Sequence, residues 1–166
     1  ITYNGEIYNF IELRRELEQE GIETETRSDT EVLLHVCRNR GADGLGKLNG
    51  MFAFALWDEN KRTLFAARDR LGIKPFYFVD LGYGLAFASE IKSLLVHPDV
   101  HPELDEHALQ DYIDLQYCLG DKTLFKGIKR LTPGSYLVWK DEKFDTFSYW
   151  DMKFGEENTS EKNPEF

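Results

Sequence analysis

Met51-Phe52-Ala53-Phe54-Ala55-Leu56-Trp57 is apolar at every position and alternates in size. Successive side chains of a strand point to opposite faces, so one face is large and the other mostly small. A strand in a sheet covered on both sides has this pattern. Its small face leaves room for a second layer to pack closely. Asp58-Glu59-Asn60-Lys61 reads as a turn, from which Thr63 to Arg68 returns as a partner strand. Phe76 to Val79, a Gly82/Gly84 turn and Leu85 to Ser89 form a second hairpin.

Upstream lie two helices. Asn9 can cap the first, with Glu12 three residues on, and Ile7, Phe10, Ile11 and Leu17 lie roughly on one face before Gly21 stops it. Ser28-Asp29-Thr30-Glu31 is a capping box that opens the second. Val32, Leu33, Val36 and Cys37 make its apolar stripe, and Gly41 ends it after Arg38 and Arg40. Gly41 to Gly50 is a glycine-rich loop. Downstream, Glu90 to Val96 is a short helix, and Asp105 can cap another that carries Ala108, Leu109, Tyr112 and Ile113 and ends near Gly120. Pro133-Gly134 turns into a strand from Ser135 to Trp139, and Asp141-Glu142 turns into another from Phe144 to Tyr149. Gly155 to Pro164 is polar and acidic, the composition of a tail or linker. Two helices, hairpins, a helix and more strands predict an α+β domain with a mainly antiparallel sheet.

Thirty acidic against 20 basic residues leave a net charge of −10, which phosphate backbones and anionic lipid repel, so neither nucleic acid nor a membrane is an expected partner. The longest apolar run, Met51 to Trp57, is far short of a bilayer span. Two cysteines, Cys37 and Cys118, are neither a disulfide framework nor a metal set and suit a reducing cytoplasm. Both look like buried, inert thiols, and the four histidines lack metal-ligand spacing. The chain opens on Ile1 and not Met, with no leader, so upstream sequence is expected to be missing.

Three stretches can carry chemistry. In Tyr3-Asn4-Gly5-Glu6 a strand runs into a turn that holds an amide, a glycine and a carboxylate in sequence. The Asn4 amide and the Gly5 N–H can act together as an oxyanion hole, or the pair can be a plain Asn-Gly turn. Asp29 enters a helix already capped by Ser28, which frees its carboxylate to accept from an ammonium group or simply to complement the helix dipole. Arg68-Asp69-Arg70-Leu71-Gly72-Ile73-Lys74-Pro75 breaks a run of strand and reads best as a structural corner held by Arg68–Asp69 hydrogen bonding. Ser89, before Glu90, is a helix cap.

In combination, Asn4-Gly5-Glu6-Ile7-Tyr8-Asn9, Ser28-Asp29-Thr30-Glu31, Gly50-Met51-Phe52-Ala53-Phe54, Arg68-Asp69 to Pro75 and Ala88-Ser89-Glu90 resemble the class II glutamine amidotransferase domain of glutamine-hydrolysing asparagine synthetases. Leu124-Phe125-Lys126-Gly127-Ile128 and Pro133-Gly134-Ser135-Tyr136 extend the likeness to about residue 150. The resemblance implies an N-terminal-nucleophile hydrolase fold, an αββα sandwich of two mainly antiparallel sheets with helices outside. It implies a cysteine nucleophile at the mature N-terminus, a glutamyl thioester, and ammonia passed through a channel to ATP-activated aspartate.

By position, Asn4 and Gly5 match the family's oxyanion hole, and Glu6 and Asp29 the carboxylates that hold the α-ammonium of glutamine. The nucleophilic cysteine and an arginine that binds the glutamine carboxylate have no counterpart here, and neither Cys37 nor Cys118 lies in a matching motif. Residues 1–154 are therefore expected to be an amidotransferase domain without its first segment, and 155–166 a linker toward a synthetase domain. The chain alone is expected to be inactive and without a cofactor, with ATP and magnesium held by the synthetase domain. Its expected partners are glutamine and that synthetase domain, and a homodimer is open. The alternatives are a non-catalytic amidotransferase-like binding module, or the glutaminase domain of an amidotransferase with another ammonia acceptor.

Overall fold

The structure is a computed structural model that describes residues 1–154, so the expected tail or linker over 155–166 lies outside the described residues. The elements in chain order are β1 (Thr2–Ile7), α1 (Phe10–Gln19), α2 (Asp29–Arg40), β2 (Gly50–Asp58), β3 (Thr63–Arg68), β4 (Tyr77–Asp80), β5 (Leu85–Ala88), α3 (Ile91–Leu94), α4 (Glu106–Leu115), β6 (Ile128–Arg130), β7 (Ser135–Lys140) and β8 (Lys143–Ser148). The glycine-rich stretch after α2 is a 3-10 helix, Gly41–Lys47, where a loop was expected. Two antiparallel sheets form, one with strand order β1-β2-β3-β7-β8 and the other β5-β4-β6.

The alternation in β2 separates the layers as its sequence implies. Phe52 and Phe54 pack with Val32, Leu33 and Val36 of α2 and with Leu13 and Leu17 of α1. Ala53 and Ala55, with Ala66 of β3, face the second sheet and its Phe76 and Phe78. The alanines let the sheets approach, and large rings from the far side fill the space, Phe76 stacking on Phe87 at 5.4 Å. A third cluster of Val79, Leu94, Val100 and Ile128 covers the outer face of the three-stranded sheet. The order is helices, sheet, sheet, then α3 and its loop.

Two caps differ from expectation. Asn9 makes no side-chain cap on α1. Its amide accepts from the Asn49 N–H (2.9 Å) and donates to the Lys47 carbonyl (3.0 Å). A side-chain amide carries the same donor and acceptor as a peptide, so Asn9 extends the contact between β1 and the approach to β2. On α1 it is Leu13 and Leu17 that are buried, while Ile11 faces solvent. Ser28 does cap α2 by accepting from the Thr30 N–H (3.1 Å). Glu31, however, does not close the box. It accepts from the N–H groups of Glu25 (2.7 Å) and Thr26 (2.6 Å) and from the Thr26 hydroxyl.

The corner after β3 is structural, by a different arrangement from the one expected. Asp69 is 1% exposed and its carboxylate accepts four backbone N–H groups: Phe52 (3.1 Å), Leu71 (3.1 Å), Ile73 (2.9 Å) and Lys74 (3.0 Å). The Arg68 guanidinium donates to the carbonyls of Gly72, Lys74 and Leu131, each at 2.7 Å. Instead of bonding each other, the two charges divide the backbone between them, the anion taking N–H groups and the cation carbonyls. Arg70 reaches back to the Leu48 and Gly46 carbonyls ahead of β2.

Two predictions follow from these ties. Asp69→Ala leaves four N–H groups short of an acceptor, the Phe52 N–H in a buried bond and the other three in partly buried ones, and an unmet buried group costs on the order of 1–3 kcal/mol, a partly buried one less. A loss of about 3 kcal/mol or more is expected in denaturant titration, with Asp69→Asn losing less. A loss below about 1 kcal/mol would remove Asp69 from this role. Glu31 is held down at about 2, below its ordinary 4.5, chiefly by the Thr26 hydroxyl and then the Glu25 N–H. A depressed carboxylate stabilises fully above its unfolded value and loses that contribution as pH falls through its folded value. The 25–31 clamp should therefore be intact above pH 4.5 and open toward pH 2. NMR titration of the Glu31 carboxyl checks it, and a midpoint near 4.5 would exclude the clamp.

Candidate active site

The stretch Asn4-Gly5-Glu6 is not a turn. β1 runs straight through it, and Gly5 lies opposite Phe52 of β2. Asp69 has claimed the Phe52 N–H, and the Asp69 N–H in turn donates to the Phe52 carbonyl (2.8 Å). Both polar groups of Phe52 therefore face away from β1. In an antiparallel ladder the two members of a pair face each other or both face away, so the Gly5 N–H and C=O point to the open edge of β1. The Ile7 N–H, two residues on, leaves on that same side to meet Asp29.

Gly5 is required by close approach. A Cβ there would sit 2.1 Å from the Met51 carbonyl oxygen and 2.7 Å from the Phe52 Cα, and the residue has φ of 154°. Glycine therefore seats the strand and leaves one backbone donor uncovered at its edge.

Asp29 is the first residue of α2 and is half-buried. Its Oδ2 accepts from the Tyr3 hydroxyl (2.8 Å) and from the Ile7 N–H (3.1 Å). The carboxylate expected to face freely outward is thus tied to β1 by one oxygen, and Oδ1 takes part in neither bond. Burial, together with the bond to Asp29, raises the Tyr3 hydroxyl well above the ordinary tyrosine range, so it stays a donor. Tyr3 was missing from the sequence-based set. Its side chain lies on the helix-facing side of β1 with Ile7, and only the pairing of helix and strand reveals its partner.

Asn4 projects from the opposite face, toward the second sheet, where its Nδ2 donates to the Ser89 hydroxyl (3.2 Å). Ser89 was expected to cap a helix. The position before α3 belongs to Glu90, which makes no side-chain cap, and Ser89 instead meets Asn4 at the end of β5. Glu6 is exposed. The four expected residues thus gather around one stretch of β1, three in succession and Asp29 through Ile7. An apolar slot of about 370 Å³ opens between the sheets one step back along the Asn4 face, between Thr2 of β1, Ala55 of β2 and Phe87 of β5.

Neither cysteine approaches this edge through any bond it makes. Cys37 is packed in the helix-facing core, and burial pushes its thiol up to about 12. Cys118 donates to the Ala108 carbonyl at 3.7 Å. Among the described residues no three of His, Cys, Asp and Glu gather as a metal site, and no helix is long and apolar enough to cross a membrane.

Over 154 residues the chain is 44% identical to asparagine synthetase (glutamine-hydrolyzing) 3 of Bacillus subtilis (strain 168), covering 92% of this chain and 25% of that protein. It is 35% identical over 158 residues to a putative asparagine synthetase (glutamine-hydrolyzing) 2 of Methanocaldococcus jannaschii, covering 92% of this chain and 30% of that protein. The chain thus spans about a quarter of the length of the curated relatives it matches. Among solved structures, glutamine phosphoribosylpyrophosphate amidotransferase from Bacillus subtilis superimposes with a TM-score of 0.61 at 22% identity, over 89% of this chain and 28% of that one. That likeness shows the fold, the N-terminal-nucleophile αββα sandwich. The family model of the glutamine amidotransferase domain matches residues 1–150, and the chain belongs to that family.

Proposed function

We propose that this chain is the glutamine-binding part of a glutaminase domain, and that the protein it belongs to is a glutamine-hydrolysing asparagine synthetase. The observation that carries this reading is the Gly5 N–H turned to an open strand edge that also holds the Asp29 carboxylate. A carbonyl placed at that edge would meet the Gly5 N–H, and the neighbouring Asn4 amide, here on the Ser89 hydroxyl (3.2 Å), would turn to supply the second donor. Two such donors lower the barrier for attack on an amide, since a single one is worth on the order of 10²–10³ in rate. Asp29 and Glu6 supply the negative charge that an α-ammonium group needs.

In this reading the attacking thiol is supplied from outside residues 1–166. It bonds to the side-chain carbonyl carbon of glutamine, the oxyanion collapses, and the C–N bond breaks with a proton transferred to the departing ammonia. Water then cleaves the thioester to glutamate and the free thiol. Residues 1–154 form part of the amidotransferase domain, and 155–166 lead toward the synthetase portion, where ATP and magnesium act on aspartate. The free thiols of Cys37 and Cys118 suit a cytoplasmic setting.

Two experiments test the assignment. In the full-length protein, Asp29→Asn should raise the glutamine KM by roughly tenfold or more, the scale of one charge-assisted hydrogen bond, while synthesis from free ammonia stays unchanged. Equal loss of both activities would refute the role of Asp29. The polypeptide of residues 1–166, incubated with glutamine, should release no ammonia above background, and turnover comparable to an intact amidotransferase would overturn the external nucleophile.

A further inference from the structure

The Asp29 carboxylate is tied by neutral donors alone. Its Oδ2 accepts from the Tyr3 hydroxyl (2.8 Å) and the Ile7 N–H (3.1 Å). Elsewhere acids are held by cations: Glu16 by Arg40 and Lys47, Asp111 by Lys122. Among the described residues Asp29 is in no ion pair. A hydroxyl and a peptide N–H orient a carboxylate without cancelling its negative charge.

The tie also has a direction. Tyr3, Gly5 and Ile7 lie on one face of β1, since side chains alternate along a strand. The Tyr3 hydroxyl meets the same oxygen as the Ile7 N–H, so its ring leans along β1 past Gly5, the position on that face with no side chain. The Gly5 and Ile7 N–H groups leave the same edge two residues apart, about 7 Å along the strand. Oδ2 occupies the second of these donors, and the first is left for a carbonyl. The spacing between the negative charge and that open donor therefore follows from where Asp29 is held. A carboxylate on the Ile7 N–H alone would pivot about one bond, and the Tyr3 hydroxyl removes that freedom.

We infer that Tyr3 is a positioning residue for amino-acid recognition: it fixes Asp29 so that Oδ1, which takes part in neither bond, meets the α-ammonium of the substrate at a set distance from the Gly5 N–H. This rests on the function proposed above and adds to it a residue that acts through Asp29. An ammonium group bound away from the breaking C–N bond is held alike in the ground state and the transition state, so loosening Asp29 acts on KM and spares kcat. A tie that served only to join α2 to β1 would affect every ligand of the site alike.

The test uses the full-length protein and compares glutamine with glutaramate, which is glutamine without its α-amino group. Tyr3→Phe keeps the ring and removes the hydroxyl. It should raise the glutamine KM at least about threefold, the scale of one hydrogen bond, with kcat within about twofold of wild type. The Ki of glutaramate against glutamine hydrolysis should stay within about twofold. In an Asp29→Ala background neither the hydroxyl nor the ammonium has its partner, so adding Tyr3→Phe should move the glutamine KM by less than about twofold. An unmoved glutamine KM in Tyr3→Phe overturns the inference. So does a parallel rise in the glutaramate Ki, or a further rise in the Asp29→Ala background, either of which makes the hydroxyl a general support of the fold. Where glutaramate binds too weakly for a Ki, the Asp29→Ala comparison decides alone. Failure of the glutaminase assignment would show separately, as a glutamine KM that Asp29→Asn leaves unchanged.

Discussion

The buried carboxylate of Asp69 is the tie on which the arrangement depends. A carboxylate 1% exposed is costly unless every lone pair is used, and four N–H groups use them. Three come from the turn after β3 and shape the corner. The fourth, from Phe52, belongs to another strand. The strand alternation points that N–H away from β1, Gly5–Phe52 being a pair that does not hydrogen-bond, and Asp69 satisfies it while the Gly5 peptide faces outward. Arg68 completes the corner from the other side. Its bond to the Leu131 carbonyl ties the end of β3 to the chain leaving β6, and so joins the two sheets. The Tyr149 hydroxyl donates to the Arg68 carbonyl (2.8 Å), and Gly134 N–H to the Asp69 carbonyl (2.9 Å). A corner some distance along the chain thus anchors the strand against which β1 pairs.

What was legible in the sequence was periodicity. The Phe/Ala alternation of Met51 to Trp57 predicts two faces and a closely packed second layer, and the hairpins around it lie within a residue or two of their expected places. The stripe of α2 is buried as expected. These features are local, because a side chain's face follows from its own backbone period. Partner choice is not local. Asn9, Glu31 and Ser89 each sit where a cap would be reasonable, and each bonds elsewhere because tertiary contacts bring a better partner: the approach to β2, the loop before α2, and Asn4. Arg68 and Asp69 are adjacent and oppositely charged, which suggests a pair. Burial gives each a stronger demand, since the turn between them offers free N–H groups on one side and free carbonyls on the other.

The candidate site divides in the same way. Asn4, Gly5, Glu6 and Asp29 were identified from motifs in combination, none of which is decisive alone. Their geometry could not be read there. An Asn-Gly dipeptide more often makes a turn than a strand interior, and only the pairing of β1 with β2 shows why Gly5 must lack a side chain. Tyr3 stayed hidden because its function is to hold Asp29, twenty-six positions away. With Tyr3 and Ile7 both on Oδ2, Asp29 is oriented and not free, as the proposed binding of an α-ammonium group from a fixed direction requires.

An edge strand with outward N–H and C=O groups is also a hazard, because it invites pairing with another chain. Proteins blunt such edges with charge. β1 has Glu6 exposed along it and the Asp29 carboxylate bonded at its end, and a second acidic strand approaching this edge would meet both. An α-ammonium group would be attracted by the same two charges. Protection of the edge and the proposed recognition of an α-ammonium group therefore ask for the same residues, beside a backbone donor that, among the described residues, no further strand covers.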